Sequence, residues 1–312
     1  MKNLLKSSLL LLSIVLVYIF LFMIPTILIP VSDKLLKMLN PDEMKLFFPL
    51  LLFLAFYISF SYWLLINNTD QKKITLFLKL LLVNFIMYPL MTLLESLFWS
   101  DAFKGIETSE FIRIFYRFVI TFTLFSAFLT IISKKTPITE EHRKTKENYK
   151  RIGYKILLIS LIYFVIYNLF GYFVAWQFEA TRSFYTGSTE IKSFFSVMLQ
   201  NISDPKFVIV HIFRGILFGI AGYFLYTLLS CSRNKTLLIM ALIFGGFGFQ
   251  IILPNPLFPE MVRISHFIET TLSMLVFGVV AGYVFSYRNK HVANNPKERL
   301  LLTTKANNID HI

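Results

Sequence analysis

The sequence has a single cysteine, Cys231, among 312 residues. That excludes an internal disulfide and any Cys-rich metal site. Charged residues make up only 16% of the chain, well under the quarter or so typical of a soluble domain. No HExxH pair occurs, and the run Gly245-Gly246-Phe247-Gly248 lies in an apolar segment, away from the strand-turn-helix setting of a nucleotide loop. Of the charged residues the acidic ones are the fewer, 18 Asp+Glu against 31 Lys+Arg, for a formal net charge of +13. In a soluble protein such a balance raises the question of nucleic acid. Here most of the excess lies in short connections between apolar runs, where basic residues hold the cytoplasmic side of a membrane against anionic lipid.

What is abundant is apolar surface. Hydrophobic residues are 56% of the chain and the mean hydropathy is +0.64. Eight segments are long enough to cross about 30 Å of hydrocarbon: Leu9 to Pro30, Leu46 to Ile66, Ile74 to Trp99, Phe111 to Ser133, Ile152 to Trp176, Phe207 to Ser230, Thr236 to Leu253 and Ile264 to Tyr287. The first follows Lys2 and Lys6 as a signal peptide would, but its end at Ile24-Pro25-Thr26 has no small-x-small cleavage site, so it reads as a retained helix. The sequon Asn67-Asn68-Thr69 falls on an inner connection and is discarded.

Lys and Arg set the orientation. Placing the N-terminus inside puts 18 of them on inner flanks and 8 on outer flanks, so both termini are expected in the cytoplasm. The basic stretch 134–151 (KKTPITEEHRKTKENYKR) divides the chain into two groups of four segments, 1–133 and 152–287, followed by a tail, 288–312. In the outer loop before Lys206, Ser188 is expected to cap a short helix that starts at Glu190 or Ile191 and lays Ile191, Phe194, Phe195 and Met198 on the interface.

Ionisable residues at membrane depth are costly and therefore informative. In this topology Glu95, Arg113, Arg117, His211, Arg214, Arg263, His266 and Glu269 all fall in the outer half, with Trp176, Gln177, Gln250 and Asn255 at the same level as a wall. On the last segment Arg263, His266, Glu269, Thr270 and Ser273 share an arc of about 120°, opposite Ile264, Ile268 and Leu272. Glycines at 215, 219 and 222 and at 278 and 282 suggest close packing of the sixth segment on the eighth. Four arginines against two glutamates leave a positive surplus suited to a carboxylate or phosphate. Arg214 is expected to pair with Glu269, leaving Arg263 free and His266 as the titrating element.

A metal reading uses His211, His266 and Glu269 as ligands and Glu95 as base. The spacing is poor, and although Phe207 to His211 fits the FxxxH element of CAAX-type intramembrane proteases, their paired glutamates and following arginine are missing. No metal or cofactor is expected. Asn84 and Asn168 read as interhelical hydrogen bonds, and Lys79 and Lys155 as side chains that snorkel to lipid phosphate.

The stretches Tyr172 to Gln177, Arg182 to Gly187 and Leu253 to Glu269 resemble parts of an uncharacterised family of bacterial multi-pass membrane proteins. The resemblance implies a bacterial envelope location and brings no activity with it. The sequence thus points to an all-α bundle of eight spanning helices in a bacterial plasma membrane. Its outward polar site would bind or translocate a small or lipid-linked anion, with membrane lipid as surroundings and no nucleic acid. The alternatives are an intramembrane enzyme with His211 or His266 as base, or a non-catalytic structural or immunity-type protein.

Overall fold

The computed structural model describes residues 2–103, 105–134 and 148–287. Most of the basic connection between the two halves and all of the tail 288–312 lie outside the described residues. Within them the protein is all-α, with eight helices long and apolar enough to cross a membrane. These are α1 (Lys2–Leu28), α2 (Phe47–Ile66), α3 (Lys73–Phe98), α4 (Thr108–Ile132), α5 (Tyr149–Phe173), α6 (Pro205–Leu228), α7 (Arg233–Phe249) and α8 (Glu260–Ser286). The end of the bundle where α1, α3, α5 and α7 finish is called distal below, and the end nearest Lys2 proximal.

Each helix buries one face and leaves another apolar. In α1, Leu5, Leu9, Leu12, Leu16 and Phe20 are exposed while Ile14 and Tyr18 are buried. That split fits a helix with lipid on one side and protein on the other. Pro89 removes an N–H from the middle of α3, and the helix widens into a π turn over Ile86–Leu90. The extra residue carries Glu95 about 100° further round the axis than an unbroken helix would. Beside the π turn, Tyr62 of α2 donates to Asn84 Oδ1, and Asn84 Nδ2 donates to Ser126 Oγ of α4 at 2.9 Å. Asn84 is thus an interhelical tie, and Asn168 likewise accepts from Asn201 at 2.9 Å.

The glycine contacts correct one expectation. A Cβ on Gly215 would stand 2.8 Å from Ser160 Cα of α5, and one on Gly278 would stand 2.6 Å from Ala241 Cα of α7. The close approaches are therefore α6 on α5 and α8 on α7. Only Gly222 brings α6 against α8, where its Cβ would meet Phe285 at 3.4 Å. Thr271, which sequence periodicity leaves on the apolar side of α8, is buried against Gly248 of α7.

Basic side chains at the helix ends cap other helices. Lys73 Nζ donates to the carbonyls of Ile131 and Ser133 at 2.8 and 2.6 Å, and Lys155 Nζ to those of Phe285 and Tyr287 at 3.2 and 3.3 Å. Lys79 donates to Thr227 Oγ1 at 3.0 Å. Lys79 and Lys155 thus reach protein oxygens, Lys155 because the last carbonyls of a neighbouring helix need donors and lie within reach.

The loop from 174 to 204 also differs from expectation. A helix over Glu179–Thr186 closes on Gly187 at φ 72°, and the second helix, Phe194–Ser203, begins later than expected, capped by Ser193. The Ser188 hydroxyl instead accepts from Glu190 N at 3.1 Å, a local turn that competes with helix initiation.

Candidate functional site

Five spanning helices, α3, α5, α6, α7 and α8, meet at the distal half around one small cavity. α3 supplies Glu95, α6 supplies Arg214, α8 supplies Glu269 and Ser273, and Tyr163 and Tyr167 of α5 close the side. Its volume of about 20 Å³ holds roughly one water. Arg214 Nη2 donates to Glu95 Oε2 at 3.0 Å; the arginine side chain is 3% exposed and the glutamate 37%. The guanidinium lies 5.5 Å from the Tyr167 ring, and its Nε has no hydrogen-bond partner among the described residues. Such a group at membrane depth costs free energy unless something occupies it.

Glu269, buried across the cavity, accepts from Thr270 Oγ1 at 2.9 Å. Its nearest basic atom is Nδ1 of His266, 3.9 Å away. His266 Nε2 lies 3.0 Å from the Tyr185 hydroxyl. Burial first, and then the Glu95 carboxylate, push the Tyr185 phenol well above its usual range. Tyr185 therefore keeps its proton, and its hydroxyl and His266 Nε2 share one hydrogen bond. Trp99 and Trp176 hold Tyr185 with ring centroids 5.1 and 5.8 Å away. Tyr185, His266 and Glu269 thus follow one another beside the cavity at separations of 3.0 and 3.9 Å.

The sequence-selected residues divide accordingly. Glu95, Arg214 and Glu269 come together, with His266 next to them. Arg214 pairs with Glu95 where Glu269 was expected. Arg113 and Arg117 stand elsewhere and donate to the carbonyls of Pro30, at 3.0 Å, and Ile29 beyond the end of α1. Arg263, expected free, binds Glu43 at 2.6 Å and the Ile252 carbonyl at 3.1 Å. Arg113 also lies 3.8 Å from Glu110, so the charge count that set four arginines against two glutamates omitted Glu43 and Glu110.

His211 is fully buried. Its Nδ1 faces the Phe207 carbonyl at 2.8 Å, and its ring packs between Phe207 and Tyr167, 4.0 and 4.1 Å away. Of the expected wall, Trp176 reaches the site through Tyr185. Gln177 donates to the Tyr172 carbonyl at 2.8 Å and Gln250 to Thr92 at 3.2 Å. Asn255 shapes its own turn by accepting from Leu257 N at 3.0 Å. Among the described residues no three His, Cys, Asp or Glu side chains group closely enough for a metal ion.

Sequence reasoning missed Tyr163, Tyr167, Tyr185 and Glu43. The first two carry a signal, an i, i+4 pair of tyrosines on one face of a membrane helix. Tyr185 and Glu43 lie in connections and carry none. No family model, curated protein or solved structure matches the chain.

Proposed function

We propose that the protein lies in a bacterial plasma membrane with both termini cytoplasmic, and that its distal cavity binds a small anion, free or lipid-linked, in a proton-linked step of translocation. The observation that supports this is the state of Arg214, a buried cation held by one carboxylate, with a free Nε and a partly exposed partner. Protonation of Glu95 removes the negative charge that neutralises Arg214. A carboxylate or phosphate then takes its place, since a guanidinium fork suits either group. The cavity is too small for such an anion while Glu95 occupies it, so Glu95 must swing towards its exposed side as the ligand arrives.

Affinity for the anion should therefore rise as pH falls. The test is binding of acetate and of inorganic phosphate to the purified chain in nanodiscs across a pH series. Arg214→Gln should abolish binding, and Glu95→Gln should bind tightly with little pH dependence. Binding that survives Arg214→Gln would overturn the proposal. A purely structural role is favoured by one specific observation, that Arg113, Arg117 and Arg263 all have protein acceptors. That role calls for no saturable anion binding at any pH.

A further inference from the structure

A second, larger pocket of about 410 Å³ opens at the distal end, between the short helix Pro41–Met44, the turn around Phe103, the helix Glu179–Thr186 and the loop 254–259. This size suits a small organic ligand. Its chemistry follows from counting what its walls offer. Neither lysine nor arginine lines it among the described residues, and Glu43 is its sole carboxylate.

Backbone donors are almost absent as well. The N–H groups of Met38, Leu39, Met44, Ala102, Phe103 and Ile106 are spent on nearby carbonyls. Those of Leu257 and Phe258 are spent on Asn255 Oδ1 at 3.0 and 3.2 Å. Pro254, Pro256 and Pro259 have none to give. Asn40 turns its amide nitrogen to Glu43 at 3.4 Å, so the Ser183 hydroxyl is the main donor left. The pocket offers acceptors and aromatic faces. Phe103, Phe184 and Phe258 form one corner, with centroids 5.2 to 5.9 Å apart. Arg263 does not line the pocket, but it holds the Glu43 carboxylate at 2.6 Å and so keeps it in place.

An anion would find few donors here and no cationic side chain among the described residues. A cation would meet one fixed carboxylate and a corner of three phenylalanine rings, the combination that recognises ammonium groups. We propose that this pocket is a second binding site, selective for an organic ammonium with an apolar body. It is independent of the anion site proposed above.

The test is calorimetric titration of the full chain in nanodiscs with benzyltrimethylammonium and, in parallel, benzenesulfonate. The cation should bind saturably and the sulfonate should not. Phe258→Leu, which keeps apolar bulk but removes a π face, should weaken cation binding about fivefold. Glu43→Gln should weaken it further, and Glu95→Gln should leave it unchanged. If Glu43→Gln fails to fold because Arg263 loses its partner, Phe184→Leu gives a second reading in a folded protein. Equal binding of the sulfonate, absence of saturable cation binding, or binding indifferent to both phenylalanine variants would overturn the proposal.

Discussion

The inner cavity and the distal pocket are built on the same motif in opposite orientations. Each rests on a glutamate paired with an arginine that is 3% exposed, Glu95 with Arg214 in one and Glu43 with Arg263 in the other. In the cavity both members of the pair border open space. In the pocket the carboxylate alone does. On the proposals above, a neutral ion pair has no fixed ligand preference, and an anion is taken only where the arginine reaches the void. Backing differs too, because Arg263 has the Ile252 carbonyl as a second acceptor, while Arg214 keeps an unpartnered Nε.

Removing the carboxylates should break the comparison most visibly. Glu95→Ala leaves Arg214 buried without the carboxylate it donates to and should cost roughly 3 kcal/mol or more, read as a fall in melting temperature in nanodiscs. Glu43→Ala should cost less, since Arg263 retains a carbonyl. In a double variant, Glu95→Ala with Arg214→Met, most of the loss should be recovered, because an apolar replacement of a buried pair is often tolerated.

A change in the scaffold should affect stability without changing either charge preference. Gly278→Ala forces a Cβ to within 2.6 Å of Ala241 Cα and should cost about 1–3 kcal/mol as α7 and α8 separate. Both sites should then weaken together in ligand titrations. Tyr62→Phe removes the donor to Asn84 Oδ1 and should cost about 1 kcal/mol with ligand binding unchanged.

The smallest effect is expected at Arg113, whose side chain is 42% exposed. Arg113→Ala should change stability by less than about 1 kcal/mol and leave anion binding intact. A loss of anion binding there would restore the broader arginine cluster that the sequence suggests.

How much of this is legible in the sequence depends on the range of the interaction. Spanning helices are declared by runs of apolar residues, and the observed bounds, such as Phe47–Ile66 and Pro205–Leu228, lie within a few residues of those read from hydropathy. The polar face of α8 is legible because periodicity within one helix is local. What a polar side chain meets across helices is not local. Arg117 could not be assigned to the Ile29 carbonyl, 88 residues away, nor Arg263 to Glu43, 220 away. The same holds for Lys73 and Lys155, whose acceptors are backbone carbonyls that every helix end presents alike. Glycine spacing correctly signals close approach but cannot name the partner, so α6 and α8 were matched to each other when each packs on its neighbour in the chain.

The most direct test of the central claim, that protonation of Glu95 frees Arg214 for an anion, is the number of protons taken up when the anion binds. Calorimetric titrations with methanesulfonate, which has no proton of its own to exchange near neutrality, can be run in two buffers of different ionisation enthalpy. Arg214→Gln should not bind. Wild type should take up about one proton per anion at a pH where Glu95 starts ionised, and Glu95→Gln should bind with almost none. Anion binding by the wild type without proton uptake, or uptake that persists in Glu95→Gln, would contradict the account.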